Sequence, residues 1–117
     1  RNVAERTGLE VTCTADDIAA APAVELAVWR VAQEALTNVA RHAEAKQVTV
    51  SLGQAGGELR LEVRDDGRGL GNRPPGVGLR GMRERAELLG GTLTLAGPPG
   101  TTVTLRLPLQ PVNEPTG

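Results

Sequence analysis

Hydrophobic and polar positions along the chain change period several times, and each change marks an element. Gly8 to Thr14 alternates apolar with polar residues and predicts a short first strand. Asp16 to Pro22 is a connection, and Pro22 suits the first turn of a helix. From Ala23 to about Ala43 the period becomes helical. Val24, Val28, Val31, Ala32, Ala35, Leu36 and Val39 share one arc, with Trp29 at its edge. Arg30, Gln33, Glu34, Thr37, Asn38 and Arg41 take the opposite arc, with Asn38 close to the apolar boundary. Alternation then returns over Lys46 to Leu52, with Val48, Val50 and Leu52 on one face. Gly53 to Gly57 reads as a hairpin loop, and Leu59, Leu61 and Val63 carry the return strand to Arg64, so that Asp65 falls at a strand end.

Leu70 to Pro75 is a short polar loop. A second helix is expected from Gly78 or Leu79 to Leu89, with Leu79, Met82, Ala86 and Leu89 inward, stopped by Gly90 and Gly91. Leu93 and Leu95 mark a strand, and Pro98, Pro99 and Gly100 a turn. Val103, Leu105 and Leu107 mark the last strand, closed by Pro108. The order is strand, helix, two strands, glycine loop, helix, two strands, with no internal repeat. One apolar sheet face and two amphipathic helices predict an α/β (α+β) two-layer sandwich, its sheet mixed and largely antiparallel. Residues 1–109 are read as one domain and 110–117 as a polar tail.

Composition narrows the function classes. The 117 residues suit a single core, and 39% of them are hydrophobic. A net charge of -1 gives no general reason to expect nucleic acid or an anionic membrane. Phe and Tyr are absent and Trp29 is the single aromatic residue, which argues against a base-stacking platform. The lone Cys13 excludes an internal disulfide and a cysteine metal cluster, and is expected to be a small buried strand residue. No apolar run approaches the ~20 residues of a membrane span, and no signal-peptide pattern opens the chain. A cytoplasmic location is expected. The start at Arg1 reads as a cut from a longer protein.

Three motifs carry chemistry. Asp65-x-Gly67-x-Gly69 places a carboxylate at a strand end, where it can accept a hydrogen bond from the 6-amino group of adenine, while the glycines let the backbone approach a flat ring. An ordinary acidic-glycine turn has the same composition. Gly76-x-Gly78-x-x-Gly81 superficially matches a dinucleotide fingerprint. It lies late in the chain, after Pro74-Pro75, rather than on a first strand-to-helix turn. What survives is a glycine-rich approach to a helix N-terminus, which favours phosphate and equally describes a plain capping turn. On the first helix, Glu34 and Asn38 lie four apart and point the same way. The Asn38 side-chain oxygen can enter the octahedral shell of Mg2+ beside a triphosphate. Glu34 can orient a metal-bound water or take part in proton transfer, and Arg41 can meet phosphate. The same stripe also reads as a plain solvated helix face, and His42 as a boundary histidine.

Glu34-x-x-x-Asn38-x-x-Arg41-His42, Asp65-x-Gly67-x-Gly69, Gly76-x-Gly78-Leu79-x-Gly81-Met82 and Gly100-Thr101 resemble, in order, the asparagine box, the two glycine boxes and the final Gly-Thr box of the GHKL ATPases. The strings Val31 to Val39 and Gly78 to Arg85 resemble those of bacterial sensor histidine kinases, in the subgroup of nitrate-sensing, thermosensing and envelope-stress kinases. The likeness runs from about Gly8 to Pro108. It implies a Bergerat-type fold that binds ATP and Mg2+. Asp65 would read the adenine amine, and Asn38 would help hold Mg2+. Gly67, Gly69, Gly76, Gly78, Leu79 and Gly81 would frame an ATP lid. Arg41 and His42 would contact phosphate or ribose, and Thr101 would support the adenine end.

The resemblance also implies partners. In such kinases the phosphorylated histidine lies on a separate helical dimerisation domain. That domain makes the parent a homodimer, and the phosphate passes on to a response regulator. No such helix precedes Gly8, so the chain reads as the catalytic ATP-binding part, compatible by itself with a monomer and with poor transfer on its own. Glu34 stands where many histidine kinases of other subgroups carry Asn, and the lid from Leu70 to Pro75 is short and lacks an aromatic residue. Two other readings use the same residues: an anti-sigma-factor serine kinase of the same fold, and a non-catalytic interaction module with a degenerate pocket. The string Gly-Leu-Arg-Gly-Met-Arg-Glu-Arg favours the sensor kinase.

Overall fold

In the computed structural model, residues 10–40, 46–67, 77–97 and 100–109 are described. Five strands, β1 (Glu10–Ala15), β2 (Gln47–Ala55), β3 (Glu58–Asp65), β4 (Thr92–Ala96) and β5 (Thr101–Pro108), form one sheet in the order β1-β2-β3-β5-β4. β1 runs parallel to β2, and every other pairing is antiparallel. Two helices, α1 (Pro22–Asn38) and α2 (Val77–Leu88), pack against each other and over the sheet. The mixed sheet and two-layer sandwich expected from the sequence are what forms.

Alternation decides which face is covered. Val48 and Val50, then Leu59, Leu61 and Val63, then Leu93, then Val103, Leu105 and Leu107 are all buried and lie in register across the sheet. Val24, Ala27, Val31, Ala35 and Val39 of the first helical segment close the core from above, with Ala86 of α2. The opposite face stays open and polar, with Thr49, Arg64 and Thr94 exposed on it. One core with one solvated sheet face is the economy an antiparallel sheet permits.

The ends of the elements follow local rules. Pro22 stands in the first turn of α1, and the Ala21 carbonyl accepts from the Val24 and Glu25 amides. The Leu109 carbonyl accepts from the Ala21 amide at 3.2 Å, which ties the start of α1 to the end of β5. α2 ends in a Schellman motif: the Gly91 amide donates to Ala86 and the Gly90 amide to Glu87, with Gly90 at φ 88.

Four expectations shift. α1 ends at Asn38, and a single π-turn at Val39 and Ala40 follows it, whereas helical periodicity predicted a run to about Ala43; residues 41–45 lie outside the described residues. β2 continues through Ala55, so the hairpin loop is only Gly56 and Gly57, at φ 61 and φ 78. A two-residue turn of this hand needs positive φ at both positions, and glycine supplies it without a steric penalty. Composition marked Gly53 as loop, but strand pairing absorbs it opposite Arg60. Cys13 is exposed rather than buried: β1 is the edge strand, paired among the described residues with β2 alone. Ala27, absent from the predicted arc, is fully buried beneath the exposed Trp29 turn.

Leu105 and Thr94 test this layering. Leu105 has no exposure, and Leu105→Ala is expected to lower unfolding free energy by about 2–5 kcal/mol. Thr94→Ala on the open face is expected to stay within about 0.5 kcal/mol. Urea denaturation followed by circular dichroism measures both, and equal losses would contradict the assignment of the two faces.

Candidate ATP-binding site

β3 is the middle strand, and Asp65 is its last residue. Pairing sets Asp65 opposite Val48 on one side and Thr101 on the other. Asp65 is the one charged or polar residue that is fully buried among the described residues, at 6% exposure. The Gly67 amide donates to Asp65 Oδ1 at 2.8 Å, so the chain curls around its own carboxylate as it leaves the sheet. Gly100 sits at φ 65 against the Asp65 backbone carbonyl, where a Cβ would collide. Glycine at 100 therefore lets β5 enter the sheet directly beside Asp65.

Two adjacent carboxyls are driven in opposite directions. Burial pushes the Asp65 carboxyl above its ordinary value of 3.8, opposed by the Gly67 and Thr101 backbone amides and reinforced by the charge of Asp66. Asp66 is exposed, and its Oδ1 accepts the Lys46 amide at 2.9 Å and the Gln47 amide at 3.0 Å. The Gln47 and Lys46 amides hold the Asp66 carboxyl below 3.8.

The polar stripe of α1 stands where periodicity placed it. Glu34 and Asn38 are half-buried, while Arg30, Gln33 and Thr37 are exposed. Arg30, Gln33, Glu34 and Thr37 line an open cavity of about 350 Å³ together with Met82 of α2. Met82 was expected to point into the core; it is only partly buried and packs at the core edge. Among the described residues the Asn38 side chain makes no hydrogen bond. No group of three or more His, Cys, Asp or Glu side chains gathers as a metal site among the described residues.

The other predicted residues divide clearly. Gly67 and Thr101 adjoin Asp65. Gly78 and Leu79 belong to the first turn of α2, and Gly81 faces open space. Arg41, His42, Gly69 and Gly76 lie outside the described residues. Sequence reasoning gave no role to Asp66, although the acidic doublet at a strand end was a readable signal.

A larger cavity, about 690 Å³, lies on the open sheet face toward the β2–β3 turn, lined among others by Asp16, Arg60, Glu62 and Arg106. Its charges are mixed, and it holds none of the predicted site residues. Size alone does not mark a site, and the buried carboxylate at the sheet end lies elsewhere, in β3 beside Thr101.

Asp65 has a definite signature in stability. Its folded pKa is raised, so between 3.8 and that higher value the folded chain binds the proton more tightly than the unfolded chain. Stability from this group therefore falls as pH rises through the window, and above it the ionised, buried carboxylate is a net cost. Asp65→Asn keeps an oxygen for the Gly67 amide and removes the charge. Its melting temperature is expected to match the parent below pH 3.8 and to exceed it increasingly as pH rises through the window, as scanning calorimetry would record. A difference independent of pH would contradict this.

Known proteins agree with the geometry. The sequence profile of the family described as "Histidine kinase-, DNA gyrase B-, and HSP90-like ATPase" matches residues 23–111. The sensor histidine kinase YxjM of Bacillus subtilis is 38% identical over 96% of this chain, and the signal transduction histidine-protein kinase/phosphatase UhpB of Salmonella typhimurium is 43% identical over 80%. The chain spans only 29% and 19% of the lengths of these two relatives. Among solved structures, the histidine kinase domain of a blue-light-activated kinase from Erythrobacter litoralis superposes with a TM-score of 0.79 at 26% identity, over 92% of this chain and 56% of that one. AdeS of Acinetobacter baumannii, at 16% identity and TM-score 0.72, covers 92% of this chain and 58% of its own and shares the fold. A profile match over most of the length, joined to the strand order that buries Asp65, shows that the chain belongs to the histidine kinase-, DNA gyrase B- and HSP90-like ATPase family.

Proposed function

We propose that this chain binds ATP with Mg2+ at the Asp65 end of the sheet and acts as the catalytic domain that phosphorylates a histidine on a separate helical dimerisation domain. The observation that carries the reading is the buried Asp65 carboxylate. It is held beside Thr101 and Gly67 at the end of the middle strand. A buried acceptor of fixed direction discriminates a ring bearing an exocyclic amine from one bearing a carbonyl, because the wrong ring leaves it unpaired. Adenine meets that requirement at its 6-position, and guanine does not.

The chain's own residues would then divide the work. Asp65 accepts from the adenine amine, with Gly67, Gly69 and Thr101 around the base. Asn38 supplies an oxygen to the cation, and Mg2+, when bound, offsets the triphosphate charge. Arg41 and His42 meet phosphate or ribose. Gly76, Gly78, Leu79 and Gly81 border the lid at the start of α2. Glu34, which lines one cavity with Met82, would orient a metal-bound water or take part in proton transfer. Phosphoryl transfer is largely positioning plus charge stabilisation, so transfer depends on how the acceptor helix is held against this domain.

Support for the histidine acceptor comes from the sensor histidine kinases among its relatives, and those names do not favour the serine-kinase reading. The partners proposed are the dimerisation domain of a homodimeric parent and, through it, a response regulator. Among the described residues no helix is long and apolar enough to cross a membrane. We place the domain on the cytoplasmic side, where ATP is found.

Isothermal calorimetry with ATP and Mg2+ tests the reading. The parent chain is expected to bind ATP and to prefer it strongly over GTP. Asp65→Asn is expected to lose about 100-fold or more in affinity while remaining folded, the scale for loss of a charged buried acceptor. Asn38→Ala is expected to remove most of the Mg2+ dependence and to leave Mg2+-free nucleotide binding nearly unchanged. A parent chain with no ATP affinity would overturn the proposal.

A further inference from the structure

Asp66 is absent from the site as the motifs define it, yet it joins two segments that must hold still for Asp65 to be aimed. Its Oδ1 accepts the Lys46 amide at 2.9 Å and the Gln47 amide at 3.0 Å, while its own amide donates to the Gln47 carbonyl at 3.2 Å. Lys46 is held from its other side as well, because its carbonyl accepts from the Glu10 amide at 2.8 Å. Gln47 Nε2 donates to Glu10 Oε1 at 3.0 Å. The start of β2 is thus fixed to the end of β3 and to β1 by a small ring of hydrogen bonds beyond the last ladder pair, Val48 with Asp65.

This ring sits at a weak place. A sheet end frays, since the final residues of each strand lack the next ladder bond. Here the strand end carries a buried charge that desolvation works to expel. A carboxylate that accepts two backbone amides is a charge-assisted clamp, stronger than the neutral ladder bonds it replaces. The depressed titration of Asp66 keeps that acceptor ionised under physiological conditions.

We infer that Asp66 is a positioning residue for adenine recognition: by clamping the Lys46 and Gln47 amides it fixes the end of β3 and so the direction of the Asp65 carboxylate. Asp66 touches no ligand in this account. It acts through the backbone of its neighbour, and the inference rests on the ATP reading above. Charge strengthens the clamp, but its geometry rests on one acceptor oxygen between two amides, which Asn at 66 keeps and Ala does not.

Calorimetry on the full chain with ATP and with GTP, for the parent, Asp66→Asn and Asp66→Ala, tests this. Asp66→Ala is expected to weaken ATP on the order of tenfold, the range seen when a supporting hydrogen bond behind a binding group is lost. It is also expected to narrow the ATP-to-GTP preference, and inorganic tripolyphosphate should bind as to the parent. Asp66→Asn should restore both ATP affinity and preference. In parallel, amide hydrogen exchange of Lys46 and Gln47, read by NMR, should accelerate in Asp66→Ala and stay slow in Asp66→Asn. A folded Asp66→Ala chain with the parent's affinity and preference overturns the inference. So does an Asp66→Asn chain as weak as Asp66→Ala, or equal exchange rates in all three chains. A parent that fails to bind ATP overturns the preceding proposal and this one with it, whereas a parent that binds leaves the two outcomes separable.

Discussion

A carboxylate held out of water at the end of the middle strand is the constraint around which the rest of the molecule is arranged. Burying an ionised group works against folding unless hydrogen bonds replace its lost hydration. Here only a few do so: the Gly67 and Thr101 amides partly offset the desolvation, and the Asp65 carboxyl still titrates high. The remaining structure supplies the stability that this residue spends. Leu61, Leu105, Leu107 and four valines of the core are almost without exposure. A strained charge backed by a dense apolar core is the expected form of a site that trades stability for recognition.

The strand order serves that arrangement. If strands paired in sequence order, β4 would lie beside β3. Instead β5 is inserted between them, and β4 takes the edge. That insertion brings Thr101 to Asp65 and presses Gly100 against the Asp65 carbonyl, where no side chain fits. The helix layer carries a second group of candidate residues. α1 buries Val24, Ala27, Val31 and Ala35 and presents Glu34 along its flank, and α2 brings Met82 to the same cavity. Arg83 Nε donates to the Leu93 carbonyl at 3.3 Å, which ties α2 to β4 and keeps the second helix in place.

Adjacent acids at one strand end show how position assigns role. Asp65 and Asp66 are chemically identical and one bond apart in the chain. The pleat sends one toward the covered face and the other to solvent, so one becomes a costly buried acceptor and the other an ionised backbone clamp. Neither role is intrinsic to aspartate. Both follow from alternation at the last residues of β3 and from what β2 and β5 place beside them.

The sequence by itself determined the elements, the covered face of the sheet and the candidate site. Period-2 and period-3.6 patterns are local, and Gly90-Gly91, Pro22 and Pro108 punctuate them by backbone chemistry that needs no distant partner. The order of the boxes marked Asp65, Asn38 and the glycines as candidates for a nucleotide site. Tertiary structure decided the rest. Which strand pairs with which is set by long-range packing, so neither the insertion of β5 beside β3 nor the parallel β1–β2 pair could be read from alternation. The same packing exposes Cys13 on an edge and draws Gly53 into a strand. It also gives Asp66 its two amide partners some 20 residues away. Hydrophobic patterning encodes which side of an element is buried, but not which neighbour buries it, and the neighbours make the site.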